Sequence, residues 1–130
     1  SSSAASDVYK RQTDEGTGKS FFYIPGCAAV DGPLAEKLRG AELVIFDGTL
    51  YTDDEMIAQG LMPKSGHRMG HISMSGTEGS VAAFDSLNVA RKVFIHINNS
   101  NPVLDDNSPE RKAVENAGWE VSYDGMEIQL

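Results

Sequence analysis

A chain of 130 residues with 19 acidic against 11 basic residues, a formal charge of −8 and a single cysteine excludes several classes at the outset. It has room for one modest core, its acidity disfavours a phosphate-backbone partner, and no apolar run approaches the roughly 20 residues that cross a bilayer. Cys27 alone forms no internal disulfide and no basic-then-apolar signal opens the chain, so the expectation is a cytoplasmic protein that binds neither nucleic acid nor membrane.

Residues 1–19 are rich in Ser, Ala, Thr, Gly and charge, and read as a disordered or foreign leader; the organised unit is expected over residues 20–130. Ser20 to Ile24 is an apolar run closed by Pro25-Gly26, which predicts a strand, with Cys27 in the turn that follows. Pro33 starts a helix that carries Leu34 and Leu38 on one face through Arg39, with Gly40 as its C-cap. Ala41 to Phe46 is the next strand, and it delivers Asp47-Gly48-Thr49. Residues 50–70, with acidic residues and several Gly and Pro, predict an irregular excursion with one helical turn near Asp53 to Ala58; such segments serve as lids or binding loops.

Ser75 or Thr77 is expected to cap a helix whose imperfect stripe runs through Val81, Phe84 and Leu87 and ends near Asn88. Arg91 to Ile95 is a strand that delivers His96 and then Asn98, Asn99, Ser100 and Asn101. Ser108-Pro109 is a helix start, Val114 and Ala117 face the core, and Gly118 ends the helix before a last strand from Trp119 to Tyr123.

Strands alternating with helices give an α/β class with a largely parallel sheet, whose chemistry lies beyond the carboxyl ends of the strands. That rule gathers Cys27, Asp47 and His96 near one edge. A carboxylate and an imidazole at two strand ends point first to a metal or catalytic crevice; the alternatives are an Asx-turn of Asp47 with Thr49 and a hydrogen-bonded core position for His96. His67 and His71 are four apart, but Gly66, Met69 and Gly70 argue against a helix there, which leaves His71 as a loop imidazole that supplies a proton or orients substrate. Cys27 reads more readily as a small packed side chain than as a nucleophile, and Asn98, Asn99 and Asn101 suit either a polar substrate or ordinary loop bonding. Four or five strands leave one apolar sheet side poorly covered, so the unit reads as half of a larger fold.

Several words occur together: Tyr23-Ile24-Pro25-Gly26-Cys27-Ala28, Phe46-Asp47-Gly48-Thr49-Leu50, Asp53-Asp54-Glu55-Met56, Arg68-Met69-Gly70-His71-Ile72-Ser73, His96-Ile97-Asn98-Asn99-Ser100-Asn101-Pro102 and Ser108-Pro109-Glu110-Arg111. From about Phe21 to Ile128 the chain resembles the C-terminal part of the coenzyme PQQ synthesis protein B family. The resemblance implies half of a metallo-β-lactamase-like αββα sandwich, with Asp47 as the metal-bridging carboxylate, His96 as a late metal ligand and His71 as an additional, acid-base histidine. It places the early His-x-His-x-Asp-His ligand cluster in an N-terminal half outside this chain. It implies a role in pyrroloquinoline quinone biosynthesis: iron(II)-dependent hydroxylation of the tyrosine ring of a peptide-derived Glu-Tyr precursor, with Asn98, Asn99 and Asn101 positioning the substrate. The alternatives are a carrier or transport-related binding protein for the quinone or its precursor, and a zinc-dependent hydrolase. Alone, the 130-residue chain is expected to be a weak or inactive catalyst and to self-associate through its uncovered apolar surface.

Overall fold

Short apolar strands in which every second residue is large set the layers of this molecule. The computed structural model describes residues 10–58 and 70–130. Its strands β1 (Lys10–Thr13), β2 (Ser20–Ile24), β3 (Leu43–Asp47), β4 (Arg91–Ile95) and β5 (Trp119–Val121) form one sheet in the order β1-β2-β3-β4-β5. β2 to β5 run parallel, and β1 is antiparallel to β2. The connections hold helices α1 (Gly32–Leu38), α2 (Glu55–Ala58), α3 (Ser80–Phe84) and α4 (Pro109–Asn116).

Side chains two apart along a strand share a face. The register therefore lines up Phe22, Val44, Lys92 and Trp119 in one row and Ile24, Phe46, Phe94 and Val121 in the next. Leu34 and Leu38 of α1, Phe84 of α3 and Val114 of α4 join these rows in a single buried cluster, which puts three helices on one side of the sheet. The other side carries Phe21, Tyr23, Leu43, Ile45, Val93 and Ile95, of which Leu43 and Val93 are buried and the rest half-buried. Beyond β5 the chain returns across the width of the sheet, and Lys19 Nζ donates to the Leu130 carbonyl at 3.3 Å beside the start of β2.

The expected boundary at residue 20 needs correction. Lys10–Thr13 pairs with Ser20 to Tyr23, and the polar tract between them is a hairpin turn. There the Asp14 N–H donates to the Lys19 carbonyl, the Gly16 N–H to Asp14 Oδ1, and Gly18 takes a φ of 74°. Polarity that reads as disorder in sequence suits an edge: β1 is exposed throughout, Lys10 and Arg11 charge it against further pairing, and the Arg11 guanidinium lies 5.9 Å from the centre of the Phe22 ring.

The helices follow their caps. Asp31 Oδ1 accepts the Leu34 N–H at 2.9 Å and starts α1 one residue earlier than Pro33, while Ser108 Oγ accepts the Arg111 N–H at 3.0 Å and starts α4 where the sequence places it. α3 is shorter than its stripe and is not capped by Ser75 or Thr77. Ser75 Oγ donates instead to the Tyr51 carbonyl, and the Ser73 and Met74 carbonyls accept the first helical N–H groups, of Ser80 and Val81. Leu87 stays in the core although the helix has ended. The last strand stops at Val121 because the Ser122 N–H makes the final bond to Phe94 and Tyr123 is 68% exposed.

Gly48 links β3 to the loop beyond it, and a Cβ there would meet Ile97 Cδ1 at 2.6 Å, Phe94 Cβ at 2.8 Å and the Ile95 carbonyl at 2.9 Å. Gly48→Ala is expected to destabilise the fold by about 1–3 kcal/mol through overpacking. Urea unfolding measures this directly, and an unchanged midpoint would contradict so close an approach of the two loops.

Candidate functional site

Asp47 is paired in register with Ile95, so Asp47 and His96 leave neighbouring parallel strands at the same end of the sheet. Cys27 follows β2 at that end, and its N–H donates to Asp47 Oδ2 at 3.0 Å. The strand pattern predicts this gathering at the carboxyl ends.

Asp47 is fully buried and its carboxylate is the hub. Oδ1 accepts the Thr49 N–H at 3.0 Å and the Thr49 hydroxyl at 2.6 Å, which is the Asx-turn, while Oδ2 accepts the Cys27 N–H and His71 Nδ1–H, the latter at 2.8 Å. Four donors on two oxygens compensate the cost of burying the charge. His71 lies in the extended segment before Ser73, which bridges to Leu50, and its side chain is 30% exposed. With Nδ1 committed to Asp47, Nε2 is the nitrogen left to meet a ligand.

The hydrogen bond to Asp47 raises the His71 pKa; partial burial opposes this and the Asp47 charge adds to it. The folded value thus lies above the unfolded one, so the folded state binds more protons in the interval between them. The pair's contribution to stability is complete below about pH 6.5 and fades as the pH rises through the raised value. Urea unfolding of the chain across this interval is expected to show that loss and to lose it in His71→Gln. Equal pH dependence in both proteins would contradict the pairing.

The other predicted residues divide. His96 is exposed and has a φ of 56°, in the left-handed region that a non-glycine residue takes only under constraint. Asn98 is half-buried and Asn99 exposed, both at the same rim. Asn101, expected to position substrate, is turned into the protein instead: it is 2% exposed, its Nδ2 donates to the Gly48 carbonyl at 3.1 Å, and its Oδ1 accepts the Val103 N–H at 3.0 Å. Cys27 is buried, with Sγ donating to the Ala29 carbonyl, as a packed side chain rather than an exposed nucleophile. His67 lies outside the described residues.

Glu55 is the residue the sequence reading missed. It is buried, Oε1 accepts the N–H groups of Tyr51 at 2.7 Å and Thr52 at 3.0 Å, and Oε2 accepts the Ser100 hydroxyl. The spacing Thr52-x-x-Glu55 is that of a capping box and could have flagged it. A cavity of about 330 Å³ lined by Ala28, Asp53, Ile72, Ser73 and Glu78 opens between the segments that follow Cys27 and His71.

A metal ion fits this arrangement poorly. Both oxygens of Asp47 are occupied by N–H and O–H donors, and among the described residues no group of three or more His, Cys, Asp and Glu side chains is placed to hold one. The buried Asp47 carboxylate favours the charged form of the His71 imidazole, and Asn98 and Asn99 lie at the same end of the sheet.

The model of the beta-lactamase superfamily domain matches residues 12–97. The chain is 61% identical over 108 residues to coenzyme PQQ synthesis protein B of Xanthomonas campestris pv. campestris (strain B100), covering 83% of this chain and 36% of that protein. With the same-named protein of Gluconacetobacter diazotrophicus it shares 61% identity over 107 residues, covering 82% and 35%. It therefore spans about a third of the length of the curated relatives it matches. The crystal structure of Zn(2+)-bound PqqB from Methylobacterium extorquens superposes with a TM-score of 0.85 at 48% identity, covering 88% of this chain and 41% of that one. A diphosphatase from the PhnP family superposes at 0.54 with 18% identity, covering 86% and 36%, and shares the fold alone. The five-stranded α/β sheet is thus a metallo-β-lactamase-like unit.

Proposed function

From the premise that the chain belongs to the beta-lactamase superfamily domain family, we propose that it is the ligand-holding part of a protein of pyrroloquinoline quinone biosynthesis, and that its rim binds the acidic quinone or an acidic precursor. The observation that carries this reading is the Asp47–His71 pair, in which a buried carboxylate favours the imidazolium and leaves Nε2–H for a ligand carboxylate. Exposed His96 and the amides of Asn98 and Asn99 supply further polar contacts at the same sheet end. The likeness to proteins called coenzyme PQQ synthesis protein B supplies the pathway, and the geometry supports binding over turnover.

The test is titration of this chain, and of a longer relative, with pyrroloquinoline quinone under calorimetry. His71→Gln is expected to weaken binding about tenfold or more, as loss of a charge-assisted hydrogen bond does. Affinity should also fall as the pH rises through the raised His71 value. Binding that is indifferent to His71 would reject the reading.

A second reading rests on the Zn(2+)-bound relative. In it, Asp47 and His96 join ligands from outside the described residues, and the longer protein is a zinc hydrolase or an iron(II) oxygenase that hydroxylates the tyrosine ring of a Glu-Tyr precursor, with His71 as acid-base group. Asp47 would first have to release one of its four hydrogen bonds. Oxygen consumption by a full-length relative given such a precursor and Fe(II), abolished by His96→Ala in a folded protein, favours this second reading; tight binding without turnover favours the first.

A further inference from the structure

A second cavity lies on the helical side of the sheet. It has a volume of about 380 Å³, and Met74, Val81, Ala82, Ala113 and Val114 give it an apolar floor. Val81 and Ala82 belong to α3, Ala113 and Val114 to α4, and both helices are anchored in the core, through Phe84 and Val114. Ala82 and Ala113 are exposed, and their short side chains leave the space between the two helices open. The cavity shares no lining residue with the rim around Asp47 and His71.

The walls are built before any ligand arrives. The Ser75 N–H and the Ser75 hydroxyl both donate to the Tyr51 carbonyl, at 3.0 and 2.6 Å, and the Val81 N–H donates to the Met74 carbonyl at 3.1 Å. Three segments that line the cavity are thus tied to one another, so binding there carries little cost of ordering them.

The charge around this floor has one sign. Asp85, which follows α3, lines the cavity and is exposed, and its carboxylate makes no hydrogen bond or ion pair with another described residue. Tyr51 lines it as well, and burial, together with the charge of Glu110 at the start of α4, raises the pKa of its phenol; a second carboxylate therefore acts on the same walls. No Lys, Arg or His is among the described residues that line the cavity. A carboxylate accepts and never donates, so an apolar cavity bordered in this way selects N–H donors carried on an apolar stem, and the negative field turns away a ligand with its own carboxylate.

We propose that the cavity between α3 and α4 is a second binding site, for a small organic ammonium ion whose apolar stem rests on the floor and whose nitrogen pairs with Asp85. Benzylammonium, benzyl alcohol and benzoate share a ring and differ in charge, and NMR titration of the isotope-labelled chain with each of them tests this. Benzylammonium should move the backbone signals of Met74, Val81, Ala82 and Ala113 and bind about fivefold or more tightly than benzyl alcohol, while benzoate leaves them in place. Equal affinity for the alcohol and the ammonium ion would overturn the site. Tighter binding of Nα-acetyl-lysinamide than of benzylammonium would reassign it to the lysine of a peptide partner and overturn the small-molecule reading.

A net charge of −8 attracts any cation, so variants must separate the cavity from the field of the whole chain. Asp85→Asn should remove the preference for the ammonium ion. Asp124→Asn, the same charge change at an exposed residue that does not line the cavity, should keep it within about twofold. Ala82→Trp fills the gap from an exposed position and should abolish binding of both the ammonium ion and the alcohol. Equal losses in the two aspartate variants, or binding untouched by Ala82→Trp in a folded protein, would overturn the proposal.

Discussion

Asp47→Ala is expected to lower the melting temperature by more than about 10 °C, the equivalent of roughly 3–5 kcal/mol. The side chain is fully buried, and its removal leaves the N–H groups of Cys27 and Thr49 without their acceptor in the interior, together with an imidazole that has lost its carboxylate. Asp47→Asn separates shape from charge. It keeps an oxygen for Thr49 but sets an NH2 against the Cys27 N–H and His71 Nδ1–H, so the ring must give up that proton, and the pKa of His71 should fall toward or below its ordinary value. NMR titration of the ring in both variants measures this. A His71 titration unchanged by Asp47→Asn, in a protein that melts as the wild type does, would show that Asp47 neither anchors the loop nor sets the charge of the rim.

The second large effect lies in the core. Trp119 is 2% exposed, stacked on Phe94 at 3.8 Å between ring centres with planes 8° apart, and edge-on to Phe84 at 5.0 Å. Its Nε1 finds no hydrogen-bond partner among the described residues, so the ring contributes area and contact rather than a polar tether. Trp119→Ala should therefore cost about 3–5 kcal/mol, a large share of the roughly 5–15 kcal/mol that holds a domain together. Trp119→Phe should cost under about 2 kcal/mol, because it keeps most of the stack and removes the unpaired donor. Equal losses from the two substitutions in chemical unfolding would mean that the indole N–H matters after all.

Local rules left clear marks on this sequence. The runs ending at Ile24, Asp47 and Ile95, the cap at Ser108 and the stop at Gly118 each rest on a few neighbouring residues, and their physics is complete within one turn or one strand. The hairpin of Lys10–Thr13 was hidden because an exposed edge strand has no hydrophobic face to advertise it. The late start of α3 at Ser80 was hidden because backbone carbonyls from Ser73 and Met74, and not a side chain, satisfy its first turn.

By itself the sequence determined the alternation of strands and helices, the sheet end at which Cys27, Asp47 and His96 emerge, and the family words that run through them. Only the tertiary structure decided which polar groups meet. Asp47 takes His71, 24 residues away, Glu55 takes Ser100, 45 away, and Asn101 closes on Gly48, 53 away. Composition shows that donors and acceptors exist, but their pairing depends on parallel register and on which loops close over the same strand ends. The buried Asn101 and the exposed His96 make the point, since the same apolar run introduces both and only packing sends one inward and the other to the rim.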